Sequence, residues 1–183
     1  MLHDKSLLIV GGSGRNVGKT EFICRLIEKI SSKHDVYALK VSAVFPDEAG
    51  CHGDHSEDVS DYYLLEESRR DSAKDSSRML RAGARSVFYL RSDNEGILNG
   101  FAAFRKKIPP GAVLLCESNS LVNYVKPGLF VLVKTRQGDM KPRVRSLLEA
   151  VDVLVESDGK SGFSELERIE LDQDNSWVII DKR

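Results

Sequence analysis

A glycine-rich loop set between a strand pattern and a helix pattern is the feature that most constrains this chain. Residues 7–10 form an apolar run typical of a buried strand, and apolar residues recur at helical spacing over residues 22–30. Between these segments, four glycines fall within residues 11–18, and the loop ends in Gly18-Lys19-Thr20. A strand, a glycine-rich loop, Gly-Lys-Thr and a helix together are the context that a phosphate-binding P-loop requires.

The spacing of this loop departs slightly from the common pattern G-x-x-x-x-G-K-[ST], because Ser13 stands where that pattern has glycine. Gly12 makes the loop one residue longer, and we interpret it as a variant P-loop rather than a glycine-rich turn with a chance Lys-Thr pair. Lys19 is expected to reach the β and γ phosphates, and the Thr20 hydroxyl is expected to ligate Mg²⁺. The predicted nucleotide-binding residues are Gly14, Arg15, Asn16, Val17, Gly18, Lys19 and Thr20.

Composition and charge fit a single domain spanning residues 1–183. The chain is 41% hydrophobic and 30% charged, with a formal net charge of −1, which are ordinary values for a soluble globular protein. The chain lacks the excess of basic residues that is typical of nucleic-acid-binding proteins, and no apolar run approaches the roughly 18 residues of a membrane span. We therefore expect no nucleic-acid partner and no membrane partner. The three cysteines form no disulfide framework, so we expect a reducing, cytoplasmic location.

Strand patterns alternate with helix patterns along the rest of the chain, which is typical of a parallel sheet covered on both faces. We therefore predict an α/β, three-layer P-loop NTPase fold, with a mostly parallel central sheet of about seven strands and helices on both faces. A long surface loop is expected at about residues 44–61. Further strands are predicted over residues 35–41, 86–90, 111–117, 128–134, 151–155 and 177–180. Helices are predicted over 62–84, either as one helix or as two helices split near Asp71-Ser72, and over 94–108 and 141–150, with a short helix or loop at 164–169.

Polar residues at the ends of predicted strands mark the edge of the sheet where ligands bind. Lys40, Glu117 and Lys134 should lie on this edge beside the loop. An acidic residue at the tip of a core strand near a P-loop is a usual second partner of Mg²⁺. Glu117 is therefore predicted to bind the metal with Thr20, the alternative being a solvated strand end. Asp75 could be a helix N-cap, add charge to the metal site or hold a substrate.

A second cluster of possible metal ligands, Cys51, His52 and His55, falls in the predicted surface loop. Zn²⁺ or Ni²⁺ could use these side chains, but their spacing matches no standard Cys/His site. The alternative is a polar loop without a ligand. We expect weak or no Zn²⁺ binding by the monomer, because a preorganised site needs ligands that are held in place.

Three stretches resemble the molybdopterin-guanine dinucleotide biosynthesis protein B family, which belongs to the wider class of P-loop proteins that includes dethiobiotin synthetases and nickel-insertion GTPases. Residues 16–20 are similar to the family's Asn-Ser-Gly-Lys-Thr loop end, and residues 115–119 to its apolar strand ending in glutamate. Residues 74–78, Lys-Asp-Ser-Ser-Arg, followed by Ala-Gly-Ala at 82–84, are similar to its Lys-Asp-Ser/Thr-x-Arg segment. The resemblance covers about residues 7–134.

The resemblance implies binding of GTP with Mg²⁺, slow hydrolysis, and assistance in attaching a guanine nucleotide to molybdopterin. It implies that Asp75 is a site residue, which we predict to act in catalysis with Lys19, and that Glu117 is a partner of the Mg²⁺ that Thr20 is predicted to ligate. A homodimer is expected, together with a pterin nucleotide and a partner protein of cofactor synthesis.

The nucleotide base and the reaction stay open at this point, and GTP and ATP are both candidate ligands. The loop length is closer to that of dethiobiotin synthetases, Val41 stands where the family commonly has histidine, and residues 156–158 lack the asparagine and lysine of a guanine-reading motif. One alternative function is an ATP-dependent ligase or kinase resembling dethiobiotin synthetase. Another is a GTP-driven metal-delivery switch that uses the Cys/His cluster. Arg15 is the loop residue that could act across a dimer interface.

Overall fold

A seven-stranded sheet forms the centre of the computed structural model, which describes residues 1–43, 61–136, 142–159 and 162–180. Its strands are β1 (Leu2–Gly12), β2 (Val36–Ala43), β3 (Tyr62–Glu66), β4 (Ser86–Ser92), β5 (Val113–Glu117), β6 (Val125–Thr135) and β7 (Val153–Ser157). They lie in the order β3-β4-β2-β5-β1-β6-β7, and every neighbouring pair is parallel except β3 with β4. The predicted α/β class with a mostly parallel sheet of seven strands is confirmed.

Helices cover both faces of this sheet. Successive strand residues point to opposite sides, so each face has its own set of side chains that pack against helices. The helices are α1 (Lys19–Ile30), α2 (Asp75–Arg81), α3 (Ile97–Lys106) and α4 (Pro142–Arg145). Leu8 and Val10 pack in one buried cluster with side chains of α1 and α2, whereas Leu7 and Ile9 pack in a second cluster with side chains of α3 and α4. The central strand β1 is thus buried on both faces, which explains its uninterrupted apolar run. Among the described residues, no helix has the length and apolarity that crossing a membrane requires.

The segment predicted as helical over residues 62–84, with a possible break near Asp71-Ser72, is helical only in its second part. β3 pairs antiparallel with β4 at the edge of the sheet, with Leu64 opposite Leu90, and helix α2 begins only at Asp75. The tyrosine and leucine residues of β3 fit either a helical or a strand pattern, and pairing with β4 decides in favour of the strand. The prediction of a helix before the break is wrong, because strand pairing is a long-range contact that local periodicity does not register. The helix after the break corresponds to α2.

Two elements near the C-terminus also differ from the predictions. Within the described residues, the helix predicted over 141–150 is limited to α4 and a 3-10 turn at Leu148–Ala150. The strand predicted at 177–180 is β9 (Trp177–Ile179), which pairs antiparallel with β8 (Ile169–Leu171) in a separate two-stranded sheet. The segment before β8 is a 3-10 helix, Ser164–Arg168. β3, and not β9, is therefore the seventh strand of the central sheet.

The hairpin formed by β8 and β9 packs in the buried cluster that contains the side chains of α1 and α2. Trp177 is 3% exposed, and its indole N–H donates to the carbonyl oxygens of Ser6 at 2.9 Å and Leu114 at 3.2 Å. Lys29, in the last turn of α1, donates to the carbonyl oxygen of Ile169 in β8 at 2.8 Å. The hairpin is thus fixed to the central strands and to α1 by directional bonds as well as by apolar packing.

Replacing Trp177 by phenylalanine tests this docking. Trp177→Phe removes the N–H that donates to the carbonyl oxygens of Ser6 and Leu114, so the free energy of unfolding should fall by about 1–3 kcal/mol. Urea unfolding followed by circular dichroism measures the change. Ile179→Ala, at an exposed position of the same strand, is the control and should destabilise the protein less. A Trp177→Phe variant that is as stable as the wild type would show that the indole bonds hold nothing in place.

Candidate functional site

The loop after β1 follows a path that is fixed at both of its ends. The N–H of Ser13 donates to the carbonyl oxygen of Val133 at 2.9 Å, which anchors the start of the loop to β6. Asn16 and Gly18 have left-handed backbone conformations, with φ of 57° and 101°. Gly18 directly precedes α1, and glycine adopts such a φ without steric strain. The chain therefore passes from the loop straight into the N-terminus of α1 at Lys19.

An open cleft of about 400 Å³ lies against the loop and the N-terminus of α1. The loop and the start of α1 line one part of the cleft with Arg15, Asn16, Val17, Gly18, Lys19, Thr20 and Glu21. The rest of the lining is Lys40 of β2, Asp75 and Arg78 of α2, and Glu117 of β5. Gly14 is the predicted site residue outside this lining, and its carbonyl oxygen accepts a 2.9 Å hydrogen bond from Lys19 Nζ. The residues predicted to bind phosphate, to bind metal and to act in catalysis thus lie around one cleft.

Lys134 was expected at the same edge of the sheet, but it does not line this cleft. Its Nζ lies 2.7 Å from Glu156 Oε1 on the neighbouring strand β7. Glu156 also begins the 156–158 segment that comes nearest to a guanine-reading motif. The carboxylate of Glu156 is therefore already paired with the ammonium group of Lys134.

A buried hydroxyl–carboxylate pair lies in the cleft. Thr20 Oγ1 donates to Glu117 Oε2 at 2.7 Å, and Glu117 is only 2% exposed. Strand pairing explains the position of this carboxylate, because Glu117 is the last residue of β5 and lies beside Val10 of β1 and Lys40 of β2. Hydroxyl and carboxylate oxygens are ligands that Mg²⁺ prefers. The pair therefore fits an ion that completes its coordination with phosphate and water oxygens.

The ammonium group of Lys40 connects the two carboxylates of the cleft. Its Nζ donates to Glu117 Oε1 and to Asp75 Oδ2, the latter at 3.0 Å. Burial alone would lower the pKa of Lys40, but both carboxylates act in the opposite direction and hold that pKa above its ordinary value. Burial alone would raise the pKa of Asp75, but Lys40, Thr20 and Arg78 hold it below its ordinary value. Lys40 and Asp75 are therefore both charged at neutral pH.

Asp75 is not the N-cap of α2. The residue in that position is Lys74, which has an extended backbone and makes no side-chain capping bond, and Asp75 is the first residue of the helix. The N-cap interpretation is wrong, since the carboxylate is directed to Lys40 instead. Its negative charge in the first turn still interacts favourably with the dipole of α2.

Two cationic residues of the cleft, Lys40 and Arg78, lie outside the set of predicted site residues. Arg78 Nη2 donates to Glu21 Oε2 at 2.6 Å and so joins α2 to α1. The sequence contains a signal for both residues. Lys40 lies opposite Glu117 once the ends of the parallel strands are aligned, and Arg78 follows Asp75 by three residues and so shares its side of the helix.

The side chain of Asn119 fastens the end of β1 to the segment that follows β5. Its Nδ2 donates to the carbonyl oxygen of Gly12 at 2.9 Å, and its Oδ1 accepts from the N–H of Gly12 at 2.7 Å. The N–H of Ser118 donates to the carbonyl oxygen of Val10 at 3.0 Å. Asn119 thus supports the start of the loop with both of its polar atoms.

Within the part of the chain that the structure describes, no group of three or more His, Cys, Asp or Glu side chains is arranged to hold a metal ion. A site with fewer protein ligands is usual for Mg²⁺ bound to a nucleotide, because phosphates and water supply the remaining oxygens. Cys51, His52 and His55 lie outside the described residues. Weak or absent Zn²⁺ binding at those three residues stays a prediction.

The Lys40–Asp75 pair predicts a pH dependence of stability. Because the pKa of Asp75 is lowered in the folded state, the stability that it contributes is present above the ordinary value of 3.8 and is lost as the pH falls through the lower folded-state pKa. Asp75→Asn should therefore reduce the free energy of unfolding at neutral pH, and its difference from the wild type should shrink below pH 3.8. Urea titrations at a series of pH values measure this difference, and one that grows towards acid pH would contradict the assignment.

Comparisons with known proteins assign no family to this chain. No family model, no curated protein and no solved structure matches it. The function must therefore be argued from the residues of the cleft.

Proposed function

We propose that this chain binds a nucleoside triphosphate together with Mg²⁺ in the cleft and hydrolyses it slowly. The observation that carries this proposal is the 2.7 Å hydrogen bond between Thr20 Oγ1 and the buried Glu117, at the start of α1 and directly after the glycine-rich loop. The pair supplies hard oxygen ligands beside a helix N-terminus, where phosphate groups bind most readily. A glycine-rich turn with a chance Lys-Thr pair gives no reason for the threonine hydroxyl to face a buried carboxylate.

Phosphate binding is assigned to the loop and to Lys19. Helix α1 has 12 residues, and the N–H groups and partial positive charge of its N-terminus favour anions. Lys19 Nζ donates to the carbonyl oxygen of Gly14 within the loop. Exchanging this neutral acceptor for phosphate oxygens gives a stronger, charge-assisted bond. Lys19 therefore has a favourable electrostatic reason to turn towards a triphosphate.

Metal binding is assigned to Thr20 and Glu117, with phosphate and water oxygens in the remaining positions. Mg²⁺, when bound, neutralises charge on the β and γ phosphates. Asp75 adds a second carboxylate to this side of the cleft through its contact with Lys40. Its predicted catalytic role rests on this position together with the motif resemblance.

Slow hydrolysis follows from the groups that line the described part of the cleft. No glutamine that could orient a water molecule is among them. The guanidinium of Arg78 is engaged with Glu21. Arg15 lines the cleft but is exposed, and it is the loop residue that we propose could act across a dimer interface. A water-positioning group and an arginine finger are each part of fast hydrolysis.

Transfer of the γ-phosphoryl group to a small acceptor is a second candidate, and one observation favours it. Lys40, Asp75 and Arg78 line the cleft beside the loop but are not needed to hold phosphates, so this part could receive an acceptor. The motif resemblance suggests a pterin nucleotide in molybdenum cofactor assembly, with a cofactor-synthesis partner and a homodimer. Chemistry like that of dethiobiotin synthetase would use a small acid. Turnover that rises with an added acceptor would favour transfer over simple hydrolysis.

The first prediction concerns nucleotide binding. At about 100 times its dissociation constant, ATP or GTP with Mg²⁺ should stabilise the fold by roughly 2.7 kcal/mol, which thermal unfolding detects as a higher melting temperature. Lys19→Ala should abolish this shift and still unfold cooperatively without nucleotide. Lys134→Ala, which breaks an ion pair outside the cleft, is the matched control and should keep the shift. The absence of a shift in the wild type with both nucleotides would refute the proposal.

The second prediction concerns rate. Because a water-positioning group and an arginine finger together account for about 10³ to 10⁵ in rate, turnover of the isolated protein should stay below about 1 s⁻¹. Phosphate release under saturating ATP or GTP with Mg²⁺ measures it. Steady turnover well above that value would show that the chain already holds a complete catalytic set.

A further inference from the structure

Both carboxylate oxygens of Glu117 are already occupied by groups of the protein. Oε2 accepts from Thr20 and Oε1 accepts from Lys40. A carboxylate that is 2% exposed has to be paired, because an unpaired charge in that position is strongly destabilising. The ammonium of Lys40 is therefore the cation that makes burial of Glu117 possible when no metal ion is bound.

Lys40 has a second partner that it can keep if it loses the first. Its Nζ lies 3.0 Å from Asp75 Oδ2, and the side chain of Asp75 is 40% exposed whereas that of Lys40 is 20% exposed. A cation that entered at Glu117 Oε1 would displace the ammonium from one carboxylate only. Lys40 would stay paired with Asp75, at the more solvated side of the cleft.

The balance of charge decides when that displacement is favourable. Lys40, Asp75 and Glu117 together carry one positive and two negative charges, so a divalent cation added alone would leave an excess of positive charge within a few ångströms. Like charges this close repel strongly when they are shielded from water. A triphosphate arriving with the ion supplies the negative charge that both cations need.

We infer that Lys40 takes the place of Mg²⁺ in the nucleotide-free protein, so that Glu117 accepts the metal ion only together with a nucleoside triphosphate, while Asp75 retains the displaced ammonium. This inference rests on the proposed function and adds a rule for the order of binding at the same site. It assigns Lys40 a positioning role towards Glu117.

Metal binding without nucleotide tests the inference directly. Mn²⁺ serves as the probe, since free and bound Mn²⁺ are distinguished by electron paramagnetic resonance. The wild type should bind Mn²⁺ weakly when alone and tightly when a non-hydrolysable ATP or GTP analogue is present. Lys40→Met should bind Mn²⁺ alone about tenfold more tightly or better, because the competing charge is gone.

Thermal unfolding gives a second measurement on the same variants. Lys40→Met should melt below the wild type, since Glu117 and Asp75 lose their shared cation, and Mn²⁺ or Mg²⁺ without nucleotide should recover much of that loss. Lys134→Met removes a lysine from a comparable ion pair at the same sheet edge but outside the cleft, and it should show neither effect. Lys40→Arg keeps the charge and should resemble the wild type.

The outcomes separate this inference from the proposed function. If the wild type binds no Mn²⁺ with any nucleotide analogue, the proposed function fails. If it binds the analogue but takes up Mn²⁺ equally well without it, the proposed function stands and the role of Lys40 is refuted. The role of Lys40 is likewise refuted if Lys40→Met folds and gains no affinity for Mn²⁺. Should Lys40→Met not fold, Lys40→Gln removes the same charge with a polar side chain, and it must likewise gain affinity for Mn²⁺ alone if the inference holds.

Discussion

The buried carboxylate of Glu117 is the interaction on which the candidate site depends. A charge that is 2% exposed needs partners, and here they come from two other elements, Thr20 on α1 and Lys40 on β2. Parallel pairing of β5 with β1 and with β2 brings those elements to one edge of the sheet. Topology and electrostatics therefore support each other, because a shifted register would leave the carboxylate without its donors.

The two sides of the cleft are built in different ways. On the loop side, the main chain is held by two contacts. Asn119 bonds to both the N–H and the carbonyl oxygen of Gly12, and the N–H of Ser13 donates to the carbonyl oxygen of Val133. The other side consists of long charged side chains on separate elements, among them Lys40 and Arg78, which are held by ion pairs with carboxylates. These side chains can turn when a ligand enters, whereas the main chain of the loop is held in place by its own hydrogen bonds.

Sequence patterns predicted those parts of the structure that depend on neighbouring residues. The strand, loop and helix around Lys19 are local features, and Glu117 follows from an apolar run that ends in a charge. The edge strand β3 depends instead on a distant partner, with Leu64 opposite Leu90, and the place of β9 depends on the bond from Trp177 to Ser6 at the other end of the chain. Lys40 was predicted at this edge of the sheet, but its pairing with Glu117 and Asp75 depends on the strand order and on the start of α2, which periodicity alone does not provide.

The extra residue in the loop has a structural explanation. A Cβ atom at Gly12 would lie 2.7 Å from Lys19 Cδ and 2.7 Å from Val17 Cγ2, so the stem of the lysine occupies the space above that glycine. Ser13 is 6% exposed and continues the path of β1 through its bond to Val133, and nothing in that geometry requires glycine. The requirement for glycine at position 12 thus follows from the position of the lysine stem, and Ser13 can stand where the common spacing has glycine.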